Sequence, residues 1–151
     1  MKAVIQRVRS ASVSIEGKEI SIINKGLLVL IGVEKDDSSE DLDYLVKKTV
    51  GLRIFKDENT NMNLSISDVG FELLVVSQFT LCADTSKGHR PSFINAAAPD
   101  IAKNIYQQYC EKLREQNIPV KTGQFGSMME VALINDGPVT ILLDSQKQIK
   151  N

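Results

Sequence analysis

The stretch Leu73-Leu74-Val75-Val76-Ser77-Gln78-Phe79-Thr80-Leu81 runs from an unbroken apolar segment directly into residues that can do chemistry. Leu73 to Val76 have the β-branched, continuous apolar character of a strand covered on both faces. Ser77 and Gln78 come where such a strand surfaces, so hydroxyls and backbone amides at that point sit on a rigid support. From Ala83 to Pro91 the chain turns polar and basic, and Lys87 and Arg90 supply charge suited to a phosphate or carboxylate. On pattern alone the same residues also read as a core strand followed by a solvated loop.

Working outward, Gly26 to Val33 is a second continuous apolar run and marks a central strand. Lys2 to Arg9 and the alternating Ala11 to Glu16 read as two further strands. Gly17-Lys18 turns the chain into a strand through Ile20 and Ile22. Ser38 with Asp41 three residues on is a helix start, and Leu42, Leu45, Val46, Thr49 and Val50 keep one apolar face, predicting a helix over 39–50. Arg53-Ile54-Phe55 and Met62 to Ile66 read as short strands. Pro99 opens a second helix whose face carries Ala102, Ile105, Tyr106, Tyr109 and Leu113 and which ends near Gln116. Val120 to Thr122 is a short strand. Met129 to Leu133 and Val139 to Leu143 are predicted as a closing pair of strands turned by Asn135-Asp136-Gly137-Pro138, with a polar tail from Gln146 to Asn151. The fold class is therefore α/β: one domain over residues 1–151, mostly strands, with two helices packed on one outer face of a sheet-on-sheet, barrel-like core.

At 151 residues the chain is long enough for one domain with its own core and short for two. Eighteen Lys and Arg against nineteen Asp and Glu leave a net charge of -1, so any contact with RNA must be local. No apolar run is long enough to span a bilayer, and Met1 to Arg9 lack the apolar stretch of a signal peptide, so a cytoplasmic protein without membrane association is expected. Cys82 and Cys110 are read as reduced thiols, and two cysteines with one histidine form no metal set.

Several chemistries compete for the central stretch. Ser77, His89 and Asp84 could be drawn as a relay, but nothing in their spacing orients it. Thr80 as a lone nucleophile needs a base, and none is evident nearby. Two converging amides around Gln78 to Thr80 could instead hold an oxyanion during attack on an ester. No glycine-rich phosphate loop of the GxxxxGK type occurs, which argues against nucleotide triphosphate chemistry, and no cofactor is expected.

Val75-Val76-Ser77-Gln78-Phe79-Thr80-Leu81, then Ala83-Asp84, Lys87-Gly88 and Arg90-Pro91-Ser92-Phe93, and much later Asn135-Asp136-Gly137-Pro138-Val139-Thr140, resemble the D-aminoacyl-tRNA deacylases of the bacterial and eukaryotic type. The likeness runs end to end, from Ile5-Gln6-Arg7-Val8 through Gly32 to Asp37, Arg53 to Phe55 and Met62-Asn63-Leu64 to Thr122-Gly123-Gln124-Phe125-Gly126. Departures are small: His89 stands at a variable position, Cys82 where a small or aromatic residue is common, and Thr60-Asn61 in a turn that often holds glycine. The resemblance implies a homodimeric hydrolase acting on the aminoacylated 3′ end of tRNA, removing D-amino acids and also glycine mischarged on tRNA-Ala. It implies that Ser77, Gln78, Phe79 and Thr80 line the aminoacyl pocket, that the Ala102 carbonyl meets the substrate amine, and that Phe125 and Met129 flank the terminal adenine. Lys87 and Arg90 would meet acceptor phosphates. It also implies that Gly137 and Pro138, joined by a cis bond and steadied by Arg7, reach into the partner's pocket to exclude an L side chain; from general X-Pro frequencies alone, trans is the default.

Overall fold

The computed structural model describes residues 1–149, and along it the chain forms β1 (Lys2–Ile15), β2 (Lys18–Ile23), β3 (Gly26–Gly32), α1 (Ser39–Gly51) and α2 (Ile66–Val69). There follow β4 (Glu72–Ser77), a 3₁₀ turn (Phe79–Cys82), α3 (Pro99–Glu115), β5 (Val120–Thr122), β6 (Glu130–Asp144) and α4 (Ser145–Ile149). The two continuous apolar runs are neighbours: β3 and β4 pair in parallel, Leu27 with Leu73 and Val29 with Val75. β4 in turn pairs in parallel with β5. Parallel neighbours need crossovers, and right-handed crossovers that step the same way along a sheet leave their helices on the same face. α1 and α3 accordingly share one core, where Leu42, Leu45, Tyr109 and Leu113 pack on Ile5, Leu27, Val29, Leu73 and Val75.

The other face of the same strands is also buried, which explains the lack of alternation in β3 and β4. Leu28, Leu74 and Val76 pack there with Val8, Ala11, Val13 and Ile23. The sheet order β2-β1-β3-β4-β5 curls over this second core until its ends approach. Ser21 Oγ donates to the Thr122 carbonyl at 2.6 Å and Lys121 Nζ to the Ile22 carbonyl at 2.7 Å, stitching β2 to β5. The class is the expected one: α/β, mainly strands in a nearly closed barrel-like sheet, with the two long helices outside.

Both long helices begin at the expected residues and end within one residue of expectation. Asp41 Oδ2 accepts the Ser38 amide at 2.9 Å, the capping contact that starts α1. Four other expectations are corrected. Lys2 to Arg9 and Ala11 to Glu16 are one strand, which irregular pairing with β6 carries from the first core to the second. Arg53 to Phe55 makes only a single bridge, Phe55 to Leu64. Two short helices were not foreseen: α2, capped by Ser65 and Asp68, takes Ile66 out of the predicted strand, and α4 forms where the polar tail was expected. Lys150 and Asn151 of that tail lie outside the described residues.

The fourth correction concerns Asn135 to Pro138. The chain does not reverse there. β6 runs antiparallel to β1 on both sides, with Gln6 opposite Thr140 and Val8 opposite Asn135. A single β1 residue, Arg7, thus faces the looped-out segment 136–139, an enlarged bulge. Asn135 closes its base, Oδ1 accepting the Val139 amide at 3.1 Å and Nδ2 donating to Thr140 Oγ1 at 2.9 Å.

At the other end of β1, the α-ammonium of Met1 is buried, pairs with Asp37 and donates to Ser145 Oγ at 2.7 Å. Ser145 Oγ donates onward to Asp41 Oδ1 at 2.6 Å, tying the starts of β1, α1 and α4 together.

Two glycines separate packing from propensity. A Cβ on Gly26 would overlap the Glu72 carbonyl oxygen where β3 meets β4, whereas one on Gly51 meets nothing within 4 Å. Gly26→Ala is expected to cost about 3 kcal/mol or more, and Gly51→Ala to be neutral or to gain up to about 1 kcal/mol. Urea unfolding of both variants checks the opposite signs.

Candidate active site

β3, β4 and β5 point the same way, so their carboxyl ends and the amino end of α3 meet at one edge of the sheet, where open α/β sheets hold ligands. A cavity of about 500 Å³ lies there. Its walls come from Ile31 and Val33 at the end of β3, from Val76, Ser77, Gln78 and Phe79 at the end of β4, from Phe125 to Met129 after β5, and from Ala96, Ala97, Pro99, Ala102 and Tyr106 on the approach to and face of α3. Among the described residues, the lining contains no carboxylate, imidazole, ammonium, guanidinium or thiol. Its one ionisable group is the Tyr106 phenol, whose pKa burial pushes far up, so it keeps its proton.

Of the expected residues, the cavity gathers Ser77, Gln78, Phe79, Ala102, Phe125 and Met129. The Gln78 amide bonds to the Ile31 carbonyl at 2.7 Å and so extends the strand before the chain curls. In the 3₁₀ turn, the Leu81 amide reaches Gln78 O and the Ala83 amide reaches Thr80 O, both at 3.2 Å. The amides of Phe79 and Thr80, at the start of the turn, make no backbone hydrogen bond among the described residues. Thr80 lies just outside the lining, and its hydroxyl accepts from Gln78 Nε2, an amide that cannot act as a base. Phe79 is half exposed and packs edge-on against Phe93 at 5.0 Å. Ala102 is buried in α3 with its backbone in helical conformation.

Five expected residues lie elsewhere: Arg7, Lys87, Arg90, Gly137 and Pro138. Lys87 and Arg90 are exposed on the loop between Asp84 and Ser92, which the pairing of those two residues closes. Neither makes an ion pair among the described residues, so both are open to an anion. Gly137 and Pro138 occupy the bulge in β6, and their peptide bond is cis. Arg7 does touch this turn, Nε donating to the Asp136 carbonyl at 3.2 Å, and a Cβ on Gly137 would fall 2.9 Å from its Nη2. The bulge is nonetheless far from the cavity of its own chain. Arg7 pairs with Leu27, four residues before Ile31, which at about 3.3 Å per residue is roughly 13 Å along the strand.

Asp84 is not near a relay either: its carboxylate accepts the Ser86 amide at 2.9 Å, which with the Ser86 side chain holds its pKa down. Among the described residues no three His, Cys, Asp or Glu side chains are grouped to hold a metal. No helix among them is long and apolar enough to cross a membrane. Val33, Ala96, Ala97, Tyr106, Ser127 and Met128 were not foreseen in the site. Their only sequence signal was small or apolar character, which core packing shares.

The site is an apolar cleft that offers backbone amides and small polar side chains. The family model described as D-Tyr-tRNA(Tyr) deacylase matches residues 4–144. D-aminoacyl-tRNA deacylases of Thermosipho africanus (strain TCF52B) and Clostridioides difficile (strain 630) are each 56% identical over 147 residues, 97% of this chain and 99% of the relative. The chain belongs to the D-aminoacyl-tRNA deacylase family, enzymes that hydrolyse D-aminoacyl-tRNA. Among solved structures, one titled c-Myc DNA Unwinding Element Binding Protein is 41% identical with a TM-score of 0.89, covering 95% of this chain and 98% of that one. A probable eukaryotic D-amino acid tRNA deacylase shares the fold at a TM-score of 0.82 and 18% identity, over 94% of this chain and 97% of its own.

Cys82, beside the motif, is buried with its Sγ 3.4 Å from the Val33 carbonyl, and burial pushes its thiol up to about 11. Cys110 is buried and raised to about 11 as well. Raising a thiol from 9.0 to about 11 lowers its thiolate fraction at pH 7.5 about a hundredfold. Native protein is therefore expected to react with iodoacetamide at least about a hundredfold more slowly than free cysteine. Both thiols should titrate after unfolding, and mass spectrometry of the alkylated protein reads the difference.

Proposed function

We propose that the cavity receives the aminoacylated 3′ end of tRNA and that the substrate supplies the group the protein lacks. The observation that carries this is the lining without a single side chain able to take a proton near neutral pH. The amides of Phe79 and Thr80 face the carbonyl oxygen and hold the negative charge that develops on it. The ribose 2′-hydroxyl of the terminal adenosine orients or activates the attacking water. Ser77 and Gln78 complete the aminoacyl pocket, Ala102 meets the amine through its carbonyl, and Phe125 and Met129 enclose the adenine. Lys87 and Arg90 take up acceptor phosphates, which explains how a chain of net charge -1 binds RNA. The products are tRNA and free D-amino acid, or glycine where tRNA-Ala is mischarged, and the setting is the cytoplasm.

The decisive experiment compares D-alanyl-, L-alanyl- and glycyl-tRNA with one preparation. D-alanyl and glycyl esters should be cleaved and the L-alanyl ester refused. A 2′-deoxy terminal adenosine should lower the rate more than about a hundredfold, whereas Thr80→Ala should stay within a few-fold of the parent. The opposite pattern, with acyl-enzyme trapped on Thr80, would return the site to covalent catalysis. Tight binding of tRNA with no turnover of any ester would make the protein a binding module instead.

The chiral wall is proposed to come from a second copy. Gly137 and Pro138 stand at the amino ends of β3 and β4 and cannot reach their own cavity, so in a homodimer they would close the partner's. Two features support the pairing. Among the described residues the outer edge of β6 has no partner strand, and Ile134 and Leu142 on it are 57% and 76% exposed. A long apolar edge of this kind is a liability unless covered. Sedimentation at micromolar concentration should give a dimer, and dilution that yields monomers should abolish turnover. A fully active monomer would remove both the dimer and the role of Pro138.

A further inference from the structure

Tyr106 sits in α3 one helical turn beyond Ala102, on the same face, and is almost fully buried at the back of the cavity. Its hydroxyl is near Cys110 and Thr122, and the Arg114 charge acts on it only weakly against the effect of burial. The hydroxyl donates to the Val75 carbonyl at 2.9 Å, two residues before Ser77. The same carbonyl accepts the Gly123 amide at 3.0 Å, using its second lone pair. Gly123 begins the segment that carries Phe125 and Met129, and the Phe125 ring lies 5.8 Å from the Tyr106 ring. One oxygen atom therefore joins three walls of the site: the strand that presents the Phe79 and Thr80 amides, the helix that carries Ala102, and the segment that carries Phe125 and Met129.

We propose that Tyr106 is a positioning residue for deacylation, its hydroxyl fixing β4, α3 and the segment 123–129 in one register so that the ester carbonyl meets the Phe79 and Thr80 amides. This rests on the reading of the cavity as the aminoacyl-ester site. Nothing in the family likeness assigned the residue, which in the sequence belongs only to an apolar helix face. The raised pKa of the buried phenol keeps it a donor throughout the working pH range. Its role is orientation and not proton transfer, because its one proton is already committed to the Val75 carbonyl.

The same helix supplies a matched control. Tyr109 is fully buried, and its hydroxyl lies 2.6 Å from Thr49 Oγ1, tying α3 to α1 away from the cavity. Tyr106→Phe removes one oxygen and leaves the Val75 carbonyl bonded to Gly123, so no buried acceptor is orphaned. Tyr109→Phe removes an equally buried hydroxyl with no link to the site.

Both variants are measured for thermal midpoint, for kcat and KM on D-alanyl-tRNA, and for amide hydrogen exchange. Tyr106→Phe is expected to lower kcat about tenfold with KM unchanged, to lengthen the pH-rate profile's plateau by nothing, and to speed exchange at 78–82 and 123–126. Tyr109→Phe is expected to move the midpoint alone. Equal kcat in the two variants, or a fall that follows the midpoint in both, would overturn the proposal. If the parent cleaves no D-aminoacyl-tRNA, the reading of the site fails, and exchange then decides the register by itself: faster exchange confined to 78–82 and 123–126 in Tyr106→Phe sustains it, and unchanged exchange ends it.

Discussion

The parallel pairing of β3, β4 and β5 is the constraint on which the rest of this molecule depends. Three strands that run the same way end at the same edge, and the two crossovers that make this possible bring α1 and α3 to the same face. The edge is then walled by α3, which starts there, and roofed by the residues that follow each strand. Had β4 paired antiparallel, Ser77 to Thr80 would emerge at the opposite end from Val33 and Phe125, and no cavity would form. The apolar cores on both faces of β3 and β4 are what fix this register, since a slip of one residue would exchange Leu73 and Val75 for Leu74 and Val76 and move every packing partner.

A cavity built this way is made of strand ends and small residues, and its chemistry follows from that. Ala96, Ala97, Pro99 and Ala102 let the walls approach closely and bring no charge. Beside the neutral side chains of Ser77, Gln78, Ser127 and Tyr106, the polar groups there are backbone. Backbone donors are held by the fold itself and need no reorganisation as charge develops, which is the condition for strong stabilisation of an oxyanion in an apolar site. On the proposed reading, the substrate's own hydroxyl next to the reacting ester stands in for the base that the lining lacks. The same absence turns against Thr80 as nucleophile, because the partner of its hydroxyl is the Gln78 amide group.

How far the sequence disclosed this depended on which physical signal each element carries. Two-face burial writes itself as unbroken apolar runs, so Leu27 to Ile31 and Leu73 to Val76 were plain. Helical period together with the Ser38–Asp41 cap made α1 plain as well. α2 and α4 span fewer than two turns and have no period to detect. Asn135 to Pro138 has the residues of a reversing turn, but the same residues suit a bulge, and only the pairing of Gln6 with Thr140 and Val8 with Asn135 decides between them. The site divided in the same manner. Ser77 to Thr80 could be suspected from the jump out of an apolar strand into polar residues. Ala102, Phe125 and Met129 came from the family likeness alone, and Tyr106 from neither, because a tyrosine on an apolar helix face looks the same whether its hydroxyl serves the core or a cavity.

The bulge in β6 shows why a selective surface would be made of main chain. Gly137 has φ +123°, and a Cβ there would fall 2.9 Å from both Arg7 Nη2 and Val139 Cγ2, so the position admits no side chain. Arg7 is half-buried, is bonded to the carbonyls of Asp136 and Ile54, and pairs with the Asp136 carboxylate at 3.4 Å, so the loop is held from beneath by a planar group that cannot lose its charge. Asn135 holds it at the base. A segment fixed at both points presents carbonyls and ring atoms that cannot rotate aside as a side chain can. A wall of that kind discriminates by occupying space, not by recognising what it admits, so it would refuse one stereochemistry at the α-carbon while remaining indifferent to the size of the side chain on the other.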